Sequence, residues 1–106
     1  MNNWKNKSDF ETNKSVAILE GLNLCEGQHY KPKAAYWSGG CEMFDPCNNP
    51  SDSWPIIQRN NIATQPRPSS NEWFAFSICE NEFEVIGKNP LRAAMIVYLE
   101  MNGVEP

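Results

Sequence analysis

The stretch from Pro90 to Leu99 constrains this chain more than any other, because Arg92 is its one charged residue. Leu91, Ala94, Met95, Tyr98 and Leu99 recur at helical spacing, and Ala93, Ile96 and Val97 make the opposite side apolar as well. A helix with no polar face has to be buried between neighbours. Asn89 supplies an N-cap and Pro90 a first residue whose fixed φ suits a helix start. Gly103 supplies a stop. The rest of the chain must therefore provide a sheet beneath this helix and another helix beside it.

The sheet is read from residues 72–86. Glu72 to Cys79 and Glu82 to Ile86 give the clearest β signal, two runs rich in aromatic and β-branched residues. With Glu80 and Asn81 as the turn, Ile78 faces Phe83 and Phe76 faces Val85 on one apolar side. Ser77 then faces Glu84 on the other side. That register puts Phe74 and Phe76 in the core and turns Trp73 outward. The companion helix is read from residues 8–22. Ser8 and Glu11 have capping-box spacing, and Phe10, Val16, Ala17, Ile18, Leu19 and Leu22 form an apolar stripe.

Between these elements, residues 23–47 carry glycine and proline punctuation, with one short strand at Ala34 to Trp37. A further helix is predicted over residues 49–61, capped by Asn49, led by Pro50 and ended by Asn60 and Asn61. Trp54, Ile56 and Ile57 are its expected core face. Pro55 either bends this helix or moves its start toward Asp52 or Ser53. Ile62 to Gln65 forms a further short strand. The expected architecture is a single α+β domain over residues 1–106, with residues 1–7 loose. About three helices pack on a small antiparallel sheet of three to four strands. At 106 residues and 41% hydrophobic, one core suffices.

Charge narrows the function classes. The net charge is −4 and the nine basic residues are scattered, which disfavours nucleic acid as the main partner. No signal peptide follows Met1, and no apolar run approaches the ~20 residues that span a bilayer. The expected setting is cytoplasmic, where thiols stay reduced.

Four cysteines offer one metal possibility, Cys25, His29, Cys41 and Cys47, but the gaps lack the paired spacing of structural zinc sites. We read them as free thiols, with no metal and no cofactor. A Cys25–His29 nucleophilic pair lacks an orienting third group. Glu80, Glu82 and Glu84 have a spacing open to acid–base work or a divalent ion, but they read more simply as a solvated strand face. The candidate binding residues are Asp45, Asn48, Asn49, Asp52 and Trp54, which gather polar groups and an indole at a helix start, together with Trp73 as a surface aromatic. The plainer alternative is that they cap and turn the chain.

Three blocks stand out together. They are Ser8-Asp9-Phe10-Glu11, the run from Cys47 through Asn48-Asn49-Pro50-Ser51-Asp52-Ser53-Trp54-Pro55-Ile56 to Ile57, and Asn89-Pro90-Leu91-Arg92-Ala93-Ala94-Met95. They resemble the NinX family of small proteins from lambdoid tailed phages and their prophages. The resemblance implies a phage or prophage origin, a gene among early-region accessory genes, and helices packed on an antiparallel sheet. It carries over no activity and no catalytic residue, and nothing transfers to the segment from Leu24 to Phe44. The expected function is that of an accessory protein of the bacterial host cytoplasm that binds a host or phage protein, with the balance against an enzyme. A small-ligand or enzyme site near residues 45–54 is the alternative, and association with nucleic acid a second one. Oligomeric state is left open.

Overall fold

A computed structural model describes residues 4–22, 35–37, 42–79 and 83–106. After one 3-10 turn at Trp4–Asn6, the elements are α1 (Asp9–Leu19), β1 (Ala35–Trp37), β2 (Glu42–Phe44), α2 (Pro50–Arg59), β3 (Ile62–Pro66), β4 (Trp73–Ser77), β5 (Glu84–Gly87) and α3 (Pro90–Met101). Strands β3, β4 and β5 form an antiparallel sheet with β4 in the centre, while β1 and β2 pair separately. The α+β class, the three helices and the three-stranded sheet agree with the sequence reading. Strand β2 does not, since residues 42–44 were read as loop.

Helix α3 sits where its composition requires. Every residue from Ala93 to Leu99 is buried, against the three-stranded sheet on one side and α1 and α2 on the others. Burying each of Met95, Ile96, Val97 and Leu99 contributes about 1.5–3 kcal/mol, which makes α3 the main apolar stabiliser. Both α1 and α3 end in the same way. Gly21 (φ 79°) and Gly103 (φ 70°) take the left-handed conformation, so that Leu22 N–H reaches Ala17 and Val104 N–H reaches Leu99.

The hairpin register departs from the sequence reading by one residue. Ala75 pairs with Val85 and Phe76 with Glu84, and Ser77 N–H donates to the Phe83 carbonyl. A one-residue slip inverts the faces. Ala75, Ser77 and Val85 are buried beneath α3, whereas Phe74 and Phe76 are half-buried on the outer face and Ile78 is 60% exposed. The small Ala75, fully buried on the sheet face that α3 covers, lets the helix approach the sheet closely. An aromatic ring at that position would hold it away. Residues 78–83 lie between β4 and β5, and the expected turn at Glu80 and Asn81 lies outside the described residues.

Two further expectations are corrected. Trp54 was placed in the core but is 55% exposed, while Ile56 and Ile57 of the same helix are buried. Helix α2 begins at Pro50 and continues through Pro55; Pro55 and Ser51, one turn earlier, are both exposed, so the missing bond falls on the solvent side. In α1 the buried stripe is Thr12, Asn13, Val16 and Ala17, and Ile18 is exposed. Ahead of α1, Trp4 is buried and its indole Nε1 donates to the Val104 carbonyl at 3.1 Å. Among the described residues, no helix is long and apolar enough to cross a membrane.

Candidate functional site

The three helices begin side by side around the turn at residues 45–48. Each start is capped by a side chain. Ser8 accepts from Glu11 N–H at 3.1 Å, with Glu11 bonding back to Ser8 N–H in a capping box. Asn49 accepts from Ser51 N–H at 3.0 Å, and Asn89 accepts from Leu91 and Arg92 N–H at 3.0 and 3.2 Å. These polar residues are thus fixed first by helix-start chemistry.

The caps are then joined to one another. Asp45 N–H donates to Asp52 at 2.9 Å, and the Asp45 carboxylate accepts from Asn13 at 2.7 Å and Asn48 at 3.0 Å. Asn13 is fully buried, and its oxygen accepts from Cys47 N–H at 3.0 Å. Asn48 also donates to Asp9 at 3.1 Å. The Asn89 amide donates to the Cys47 carbonyl at 2.7 Å, so one side chain caps α3 and clasps the turn.

Arg92 closes the assembly from the α3 side. Its guanidinium pairs with Asp9 at 2.8 Å, both side chains being 19% exposed. It also donates to Thr12 at 3.3 Å and to the carbonyls of Trp4 at 3.0 Å and Lys7 at 2.5 Å. The planar fork of an arginine suits this many acceptors; a lysine ammonium would not span them.

The sequence-derived candidates separate on this geometry. Asp45, Asn48, Asn49 and Asp52 come together, but their polar groups bond within the fold. Trp54, on α2 a few residues from the Asn49 cap, presents its indole to solvent. Trp73 does not join them. It is half-buried on the side of the sheet shared with Ala75 and Ser77, the reverse of the outward placement expected. Phe74 and Phe76 occupy the outer face instead, where Arg67 lies 5.3 Å from the Phe74 ring centre.

Cys47 is buried, and burial, with Asp9 nearby, pushes its thiol well above the usual range. It stays protonated and is no nucleophile. Cys25, His29, Cys41, Glu80 and Glu82 lie outside the described residues, and Glu84 is exposed on the outer sheet face. Reading the sequence did not single out Thr12, Asn13, Asn89 or Arg92 as members of one cluster. Two signals were present: polar Thr12 and Asn13 at the spacing of the Val16–Ala17 stripe, and the lone charge in the most apolar helix.

At the opposite end of the helices a second polar contact forms. Glu20 accepts from Arg59 at 2.6 Å and from the Tyr98 hydroxyl. Burial first, and then Glu20, pushes the Tyr98 phenol from its ordinary 10 up to about 12.

A family model described as Bacteriophage P22, NinX matches residues 6–102, which include all three helix starts and the side chains that join them. No curated protein matches the chain.

Proposed function

Because this chain belongs to the bacteriophage P22 NinX family, we propose that it acts by binding a host or phage protein, without catalysis, and that the α2 surface carrying Trp54 makes the contact. The observation that carries this reading is the exposure of Trp54 beside a rigidly capped helix start. The Trp54 indole is an apolar surface left in water among the described residues, and tryptophan is prominent among residues that dominate binding energy at interfaces. Asn49 and the network behind it fix the helix, so little order would have to be gained on binding.

The small-ligand alternative needs convergent polar groups free to meet a ligand at residues 45–54. Asp45, Asn48, Asn49 and Asp52 are already bonded to Asn13, Asp9, Asn89 and the turn backbone. The test is capture from a phage-infected bacterial lysate at physiological salt, comparing the parent chain with Trp54→Ser. We expect a specific protein retained by the parent and reduced at least about tenfold by the variant, with unchanged thermal stability. Equal retention by both, or no specific protein at all, would remove the reading.

A further inference from the structure

Strand β5 is an edge of the three-stranded sheet, and a cleft of about 310 Å³ runs beside it. The cleft is lined by residues 85–89, by Lys5 and by the first turns of α3. The Ser77 to Phe83 bond fixes which backbone groups of β5 turn inward. In an antiparallel ladder alternate residues bond the same neighbour, so residues 83, 85 and 87 bond toward β4. The N–H and C=O groups of Glu84 and Ile86 therefore face the edge, which no other strand among the described residues pairs with, and Lys88 follows directly after the strand.

We propose that two copies of this chain associate through this edge, β5 against β5 and antiparallel, about a two-fold axis at Ile86. The residue order Glu84-Val85-Ile86-Gly87-Lys88 is its own complement under that operation. Ile86 meets Ile86 of the second copy, and Glu84 meets its Lys88 on both sides of the axis. Glu84 and Ile86 are residues whose backbone groups face outward, and Lys88 stands two residues beyond Ile86 as Glu84 stands two before it, so the hydrogen-bond pattern and the charge pattern select the same centre. A slip of one residue sets outward-facing groups against inward-facing ones. Centring on Val85 or Gly87 sets the charges against Ile86. Glu84 and Lys88 are both exposed and have no ion-pair partner among the described residues. Charges on an edge strand ordinarily repel a second edge; here their order makes them attractive.

The pairing would also extend the outer sheet face. Phe74 lies directly across β4–β5 from Ile86, and Phe76 and Ile78 continue the same face. Two copies joined at β5 therefore carry one apolar row, Phe74 and Ile86 of each copy, across the four central strands of a six-stranded sheet. An edge this short buries less than a standard interface of about 800 Å² per partner, so the association is weak and depends on concentration. It involves none of the Trp54 surface and stands or falls separately from it.

Sedimentation equilibrium of the whole chain, from about 10 to about 500 µM, tests the proposal. The parent should pass from its monomer mass of 12.1 kDa toward twice that value. Glu84→Lys and Lys88→Glu should each self-associate about tenfold more weakly, because like charges then face across the axis. An equimolar mixture of the two variants should recover the parent's association, because opposite charges meet again. Ile86→Pro should be monomeric while keeping its circular dichroism spectrum, since the lost N–H faces the edge and not β4. A parent that stays monomeric throughout, variants that associate as the parent does, or a mixture that fails to recover would each overturn the proposal.

Discussion

The same three helices are cross-linked at both ends, and the two ends use different chemistry. At their starts, α1, α2 and α3 meet through amides and caps around the Asp45 and Asp52 carboxylates and the part-buried Asp9–Arg92 pair, with Asn13 at the centre and fully buried. At their finishes they meet through Glu20, Arg59 and Tyr98, where Arg59 is 55% exposed. The first arrangement is a web of hydrogen bonds largely shielded from water; the second rests on one exposed charge and is therefore more open to salt. A buried amide that loses its partner costs the full desolvation of that group, whereas an exposed charge simply returns to water. Position along the helix thus decides how much an individual polar residue matters.

The most severe test of this contrast is Asn13→Leu. It leaves the Asp45 carboxylate and Cys47 N–H without their buried partner, and should lower unfolding free energy by about 3 kcal/mol in urea denaturation. A loss below about 1 kcal/mol would mean that the starts are not held by this network. Arg92→Met comes next, at about 2 kcal/mol, because it removes the Asp9 pair and two carbonyl contacts together. It should also shift Trp4 fluorescence to the red, since Arg92 holds the Trp4 and Lys7 carbonyls. Arg92→Lys should restore less than half of that loss.

The finishing end should respond less at neutral pH and more in alkali. Tyr98→Phe should cost about 1 kcal/mol near pH 7. The folded Tyr98 phenol titrates about two units higher than an unfolded one, at about 12 against 10. Its contribution is therefore complete below pH 10 and is lost as pH rises from 10 through about 12. The parent should lose stability across that window more steeply than Tyr98→Phe, as read from urea midpoints; parallel curves would contradict the assignment. Arg59→Ala is the smallest effect, within about 0.5 kcal/mol and fading in high salt, as for other exposed pairs.

Much of the fold was legible because it rests on local rules. The caps Ser8, Asn49 and Asn89, the leading prolines, the glycine stop at residue 103 and the burial of α3 all follow from residues within a turn of where they act. The register of β4 on β5 was not, because it depends on how closely α3 can approach the sheet. Two large phenylalanines suggested a core face, yet the contact demanded the small Ala75 between them. The polar cluster was legible only in part, and its connections were not. Asp45, Asn48, Asn49 and Asp52 were found by composition. That they bond Asn13 and Asp9 of α1 and Asn89 of α3 depends on tertiary proximity that no spacing reveals. Trp54 was misread as core because helical period alone does not say which side of a short helix meets its neighbours.

The bond from the Trp4 indole to the Val104 carbonyl joins residues 100 apart, and the same Val104 completes the end of α3. During translation this latch has no second half until almost the whole described chain has been made. Helix α1 can form early from its own capping box, but it must wait on the ribosome for Arg92 and Val104 before it is locked. The fold should therefore close in one late step, and a stalled nascent chain ending short of α3 should remain open to proteases despite carrying most of its secondary structure.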